Sequence, residues 1–184
     1  NGAKLCSNSP GQAAISTLAA RFAESNPDLP AVSINVYDVP VMNAFAMPGD
    51  RIVITRELLA KASSPDEVAG VLAHELGHVV LRHSEAQLVR VTGLQVLLSV
   101  VTGGGSDTVG SVAGLAAILR YTREAEAEAD DFALATLAAA HIDPMGLKHF
   151  FELVLKQEGK PSGGAFGRIG TVLATHPGTE DRIK

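Results

Sequence analysis

The first third of the chain changes from a helical to an alternating pattern of apolar positions. One helix face is outlined by Ile15, Leu18, Ala19 and Phe22. Residues 32–36 then alternate between apolar and polar or small side chains, which predicts a strand. Two more strands are predicted over 43–47 and 52–55, joined as a hairpin by the turn Pro48-Gly49-Asp50. A small sheet is therefore expected to follow the first helix.

The rest of the chain is dominated by helical patterns. Ser64, Pro65 and Glu67 supply an N-cap, a proline at the first helical position and a capping box, so a helix is predicted to start there. This helix is apolar around much of its circumference as far as Val80, which predicts burial on most sides. Further helices are predicted over about 87–101, over 108–140 with an interruption near 121–122, and from 143 to about 159. The predicted fold class is α+β, with a small N-terminal sheet and a mostly helical remainder.

Composition narrows the class of protein. The chain has 184 residues with 46% hydrophobic side chains, which favours one globular domain over 1–184, and we expect it to be part of a longer chain. The formal net charge is −5 and no Lys/Arg block stands out, which argues against nucleic acid as a partner. Cys6 is the single cysteine, so an internal disulfide is excluded.

The predicted apolar helix carries a His-Glu-Leu-Gly-His sequence at 74–78. His74 and His78 are four residues apart, so their imidazoles lie on one side of the helix and can bind one Zn²⁺. Glu75 can reach a water on such a metal and is the natural general base. The alternative is that hydrogen bonds alone satisfy these side chains, which are costly to bury without partners. Gly77, between the histidines, would allow another segment to approach closely.

A catalytic zinc site needs a third protein ligand, which the acidic stretch at 124–131 can supply. Glu126 and Asp130 share one helix face, whereas Glu124 and Glu128 share another. One carboxylate would bind the metal and a second would orient a ligand histidine through its other ring nitrogen, a division that Glu126 and Asp130 fit. Spacing alone does not choose among the three glutamates, and a solvated acidic face is the alternative interpretation.

The other histidines carry weaker signals. His83 lies off the ligand face of the helix and is interpreted as a structural group or as support for the metal ligands. His141 and His149 have no motif context and are expected at the surface or in packing contacts. His176, followed by a proline, begins a turn before a helix if it has no chemical role.

Four segments together resemble one family of enzymes. They are NAFAMPGDRIVIT at 43–55, VAGVLAHELGHVVLRH at 68–83, REAEAEAD at 123–130 and THPGTEDRI at 175–183. In this order they are similar to the HtpX/BepA/Oma-type zinc metallopeptidases, which are relatives of the CAAX prenyl proteases. The similarity extends from about Val32 to the end of the chain.

This resemblance implies a zincin-like fold and a ligand set. By its E-x-x-x-D pattern, Glu126 would be the third zinc ligand beside His74 and His78, with one Zn²⁺ per chain. Asp130 would orient a ligand histidine, and Glu75 would be the general base.

The resemblance also implies groups around the metal. Asn43, Ala44, Phe45 and Ala46 would form an edge strand that pairs with an extended peptide. His176 would either stabilise the oxyanion or occupy the fourth zinc position in a latent enzyme. Arg182 would contact substrate or pair with an acid such as Asp130.

The function implied is zinc-dependent hydrolysis of peptide bonds in protein substrates, including misfolded or envelope proteins. The resemblance places the protein in the periplasm or at a membrane, associated through segments outside this chain. The alternative is a zinc-binding chaperone-like or assembly module whose site is closed by His176.

Overall fold

The computed structural model describes residues 4–7, 9–102, 121–158 and 176–178. The fold is α+β, with a small sheet at the N-terminal end and helices in most of the rest, as predicted. Its strands are β1 (Lys4–Leu5), β2 (Ser33–Asp38), β3 (Ala44–Met47) and β4 (Arg51–Thr55). Its helices are α1 (Ser9–Ser25), α2 (Arg56–Lys61), α3 (Pro65–Val80), α4 (His83–Thr102), α5 (Arg123–Ala139) and α6 (Met145–Glu158).

The sheet has the strand order β1-β2-β4-β3, which leaves β3 at one edge of the described sheet. β3 and β4 form the predicted antiparallel hairpin, and its turn places both Gly49 and Asp50 at positive φ. β2 runs parallel to β4 and β1 runs antiparallel to β2. The two-residue strand β1 had no periodicity that could have predicted it.

Helix starts follow the predicted capping signals closely. The Ser64 hydroxyl accepts a hydrogen bond from the Glu67 N–H, with Pro65 in the first turn. The Glu67 carboxylate accepts from the Ser63 N–H, one residue before the N-cap, so the reciprocal bond of the capping box is displaced by one residue. Thr122 caps α5, so this helix begins directly after the interruption predicted near 121–122.

Two predicted helix boundaries need comment. α4 begins at His83, four residues before the predicted start, because the apolar pattern reveals only the later turns. Part of the helix predicted over 108–140 falls on 108–120, outside the described residues.

The core is organised around α3, which packs against α5, α6 and the sheet. Twelve of the thirteen residues from Glu67 to Val79 are buried, all except Val68, which would be unusual for a surface helix. This confirms the burial on most sides that the sequence predicts. Among the described helices, none is both long and apolar enough to cross a membrane.

Glycines bring the neighbouring helices close to α3. A Cβ on Gly77 would lie 3.0 Å from the Ala129 Cα of α5, and a Cβ on Gly70 would lie 2.6 Å from the Leu147 nitrogen of α6. The close approach expected at Gly77 is thus confirmed, and the approaching segment is the acidic helix. Two of its carboxylates, those of Glu126 and Asp130, are held directly beside the histidines of α3.

Candidate metal centre

The two histidines of the His-Glu-Leu-Gly-His sequence converge inside the protein. His74 and His78 are 2% and 0% exposed, one turn apart on α3. Their Nε2 atoms lie 3.1 Å from each other, so both nitrogens face the same point. Helical spacing places the two rings on one side of α3.

Glu126 reaches this point from α5. Its carboxylate is fully buried, with Oε2 3.6 Å from His74 Nε2 and Oε1 3.5 Å from His78 Nε2. The neighbouring acids Glu124 and Glu128 are exposed. Tertiary packing therefore brings to the histidines the same glutamate that the family resemblance indicated.

His176 completes a buried group of four side chains. Its Nδ1 lies 3.0 Å from Glu126 Oε1 and 3.3 Å from His74 Nε2. One candidate ligand atom from each of His74, His78, Glu126 and His176 lies within 4.8 Å of all the others. Burial by itself would lower the pKa of His176, but the carboxylates of Glu126 and Glu75 outweigh it and raise the pKa to about 10.

The other ring nitrogens of the α3 histidines have partners of their own. His74 Nδ1 lies 3.0 Å from Asp130 Oδ1, the contact expected of a carboxylate that orients a ligand histidine. His78 Nδ1 lies 2.9 Å from His83 Nδ1, and the His78 ring stacks on Tyr121 with centroids 3.8 Å apart. Both Nε2 atoms are thereby directed to the shared point.

Glu75 lies beside the four-residue group. Its side chain is buried, with Oε1 3.3 Å from His176 Nε2, and its Oε2 has no hydrogen-bond partner within the described part of the chain. A cavity of about 10 Å³, large enough for about one water molecule, lies against Glu75. The cavity is otherwise lined by His74 and His176 and by the apolar side chains of Ala44, Val71, Leu147, Phe150 and Phe151.

The sequence also matches the model of a known protein family. The model of peptidase family M48 matches residues 11–184. The chain belongs to peptidase family M48.

Individual M48 relatives agree with this. The chain is 34% identical over 150 residues to the mitochondrial metalloendopeptidase OMA1 of Arabidopsis thaliana, which covers 81% of this chain and 30% of that protein. It is 30% identical over 160 residues to metalloprotease YcaL of Escherichia coli K12, covering 83% and 60%. It is also 30% identical over 155 residues to the beta-barrel assembly-enhancing protease of that bacterium, covering 77% and 31%. The chain thus spans between about a third and three fifths of the length of these relatives.

The donors present fit the metal that an M48 peptidase implies. Imidazole nitrogens and a carboxylate are donors that Zn²⁺ accepts, and three protein ligands are typical of catalytic zinc. The orientation of the two imidazole rings also fits a metal ion. Asp130 and His83 contact the Nδ1 atoms of His74 and His78, so the Nε2 atoms of both rings point toward the shared position. A surface cluster of acids would show no such convergence.

The strand expected to bind peptide, residues 43–46, lies at the edge of the described sheet. Asn43 faces β4, since its carbonyl accepts a hydrogen bond from the Thr55 N–H. Antiparallel alternation therefore directs the main chain of Phe45 to β4 and that of Ala44 and Ala46 outward. A peptide added at this edge would therefore meet the main-chain groups of Ala44 and Ala46; its binding along 43–46 stays a prediction.

Some site residues of this M48 chain could not be found from the sequence. Tyr121 and Ser84 donate hydrogen bonds to the Ala46 carbonyl at 3.2 and 3.1 Å, and no motif marks either residue. Burial first, and then the nearby Glu75, raise the pKa of the Tyr121 phenol above its usual value, so the hydroxyl remains a donor. Arg182 lies outside the described residues.

Proposed function

We propose that this chain is the peptidase domain of a zinc-dependent endopeptidase. The observation that carries the proposal is the convergence of His74, His78 and Glu126 beside a buried Glu75 carboxylate oxygen that has no hydrogen-bond partner within the described residues. A site that only stapled helices together would not need this additional carboxylate. Membership of peptidase family M48 supports the same reaction class.

The proposed roles follow from position. His74, His78 and Glu126 would hold the zinc, which when bound supplies Lewis acidity and lowers the pKa of water. Glu75 borders the cavity, and its Oε2 has no hydrogen-bond partner among the residues that the structure describes, so it can take a proton from the attacking water and return it to the leaving amine. Asp130 would hold His74 in orientation from outside.

Peptide substrates would pair with the free edge of β3. Ala44 directs its main-chain groups outward, whereas the Ala46 carbonyl already accepts hydrogen bonds from Ser84 and Tyr121. The outward groups nearest the metal centre are therefore those of Ala44, which also lines the cavity beside Glu75. Pairing there would place an extended peptide beside the general base.

Protein substrates in an envelope or membrane setting are part of the proposal. Two relatives carry the printed names mitochondrial metalloendopeptidase and beta-barrel assembly-enhancing protease. One name places that relative in mitochondria and the other connects that relative with the assembly of β-barrels. We infer that this chain belongs to a periplasmic or membrane-associated protein that acts on misfolded or envelope proteins.

The decisive experiment separates turnover from metal binding. We expect Glu75→Gln to retain about one zinc per chain and to lose at least about a hundredfold in cleavage of a quenched-fluorescence casein substrate, since general-base catalysis contributes about 10²–10⁴-fold. Zinc is measured by elemental analysis of the same samples. Glu124→Gln, an exposed acid on α5, is the control and should retain both properties.

Two results would contradict the proposal. Wild-type cleavage by Glu75→Gln would remove the general-base role. Wild-type protein that binds no zinc, or that binds it equally well after His74→Ala, would remove the metal site.

The position of His176 favours a second candidate, a latent zinc module. Its Nδ1 lies among the ligand atoms of His74 and Glu126, where it can close the fourth position. An oxyanion-stabilising role would require this ring to face substrate instead. In the latent enzyme, His176→Ala should increase casein cleavage; in a binding module it should leave cleavage absent while zinc remains bound.

A further inference from the structure

We propose that His83 and Glu128 are positioning residues that fix the ring of His78 for metal binding. The proposal rests on the proposed zinc site and adds to it a series of hydrogen-bonded side chains behind His78. The chain runs from His78 Nδ1 to His83 Nδ1 at 2.9 Å, and from His83 Nε2 to Glu128 Oε2 at 3.0 Å.

The direction of the protons follows from the chemistry of the three groups. A carboxylate accepts only, so the His83 Nε2 must carry the proton that it donates to Glu128. In a neutral ring the His83 Nδ1 is then an acceptor, and the facing His78 Nδ1 must be the donor. With its proton on Nδ1, His78 has a lone pair on Nε2, the atom that faces His74 and Glu126.

This arrangement matches the support that His74 receives from Asp130. His74 Nδ1 faces a carboxylate directly, while His78 Nδ1 reaches one through the ring of His83. The two carboxylates and the ligand Glu126 all belong to α5. One helix therefore supplies a metal ligand and the carboxylates that support both imidazoles, directly for His74 and through His83 of α4 for His78.

Tyr121 limits the remaining freedom of the His78 ring. The two rings are stacked with an interplanar angle of 11°. Stacking fixes the ring plane, and the hydrogen bond to His83 fixes which nitrogen points inward. A half-turn of the ring about its Cβ–Cγ bond would put carbon atoms where Nδ1 and Nε2 now lie and would break the bond to His83.

The test compares two substitutions of His83. His83→Ala removes the acceptor, whereas His83→Asn places an amide oxygen close to the position of the ring Nδ1. We expect Ala to weaken zinc binding about 10–100-fold, the usual effect of losing an outer partner, and Asn to restore most of it. Zinc affinity is measured by competition with a chromophoric chelator, and the Co²⁺-substituted protein reports ligand geometry through its visible absorption bands.

Glu128 has a matched control on the same helix. Glu128→Ala should weaken zinc binding less than His83→Ala does, because the carboxylate is 65% exposed and acts through a second residue. Glu124→Ala removes another exposed acid of α5 and should leave affinity unchanged. Circular dichroism of the metal-free variants shows whether weaker zinc binding comes from the lost hydrogen bonds or from a damaged fold.

The outcomes distinguish this inference from the proposed function. If wild-type protein binds zinc and His74→Ala does not, while His83→Ala binds like wild type, the positioning role is overturned and the zinc site stands. Equal losses in Ala and Asn with an altered metal-free fold would show a structural role and also overturn it. Failure of the wild type to bind zinc would overturn both.

Discussion

At the scale of single residues, the acidic run of α5 shows how position gives identical side chains different roles. Glu126 is fully buried against the histidines, whereas Glu124 and Glu128 are exposed. Glu126 and Asp130 are one turn apart and both face α3, one toward the ligand nitrogens and the other toward the outer nitrogen of His74. The chemistry of a carboxylate here depends on which atom of an imidazole it meets.

Asp130 allows a prediction with a close control. We expect Asp130→Ala to weaken zinc binding about 10–100-fold because the His74 ring loses the partner that orients it. Asp131→Ala removes an exposed carboxylate next in sequence and should have no effect. Isothermal titration with zinc measures both, and equal affinities for the two variants would refute the orienting role.

At the scale of elements, α3 is the helix to which the others are fitted. It carries both histidines and Glu75 while packing against α5, α6 and the sheet. Gly70 and Gly77 have no side chain, so α6 and α5 can pack close to the α3 backbone. Gly146 likewise lets α6 approach the backbone of Asp66, where a Cβ would clash with the carbonyl oxygen. The separation of α3 from α5 at Gly77 sets how far Glu126 can reach.

Gly77 tests this dependence. Gly77→Ala would place a Cβ 3.0 Å from the Ala129 Cα, and backbone cannot yield as a flexible side chain does. We expect a loss of about 1–3 kcal/mol in the free energy of unfolding, together with weaker zinc binding as α5 is displaced.

The control for Gly77 is another helical glycine. A Cβ on Gly93 of α4 meets nothing within 4 Å among the described atoms. Gly93→Ala should therefore be neutral or stabilising by up to about 1 kcal/mol through helix propensity. Urea unfolding followed by circular dichroism measures both variants; a Gly77→Ala protein as stable as Gly93→Ala would contradict the packing argument.

At the scale of the whole molecule, the candidate metal centre joins parts of the chain that are far apart in sequence. Glu126 and His176 are separated by 50 residues, and His74 and His176 by 102. The N-terminal helix α1 is tied to α5, because the Arg21 guanidinium donates hydrogen bonds to the carbonyls of Ala140 and His141 at the end of α5. Metal binding should therefore stabilise the tertiary structure and not one helix alone.

Removal of the metal tests this coupling. A ligand at a hundred times its dissociation constant stabilises the folded state by about 2.7 kcal/mol, so chelation should lower the Tm by roughly 5–10 °C for a chain of this size. Differential scanning calorimetry with and without EDTA measures the shift. His74→Ala should show no effect of EDTA, and an equal Tm for wild type with and without EDTA would refute the coupling.

The sequence by itself determined the local features. The cap at Ser64, the hairpin around Gly49 and the pairing of His74 with His78 depend on residues within a few positions of each other. Their geometry follows from helix and turn dimensions, whatever the rest of the chain does. The burial of α3 was also predictable from the sequence, since apolar positions surround most of its circumference.

Tertiary structure decided the rest. Spacing left Glu124, Glu126 and Glu128 as alternatives, because each has another acidic residue one turn away on the same face of the helix. Only the close packing of α5 on α3 at Gly77 decides which of these faces meets α3. The parallel pairing of β2 with β4, the stacking of Tyr121 on His78 and the contact of His83 with Glu128 likewise join distant residues. No local pattern encodes such contacts, since they depend on how whole elements pack.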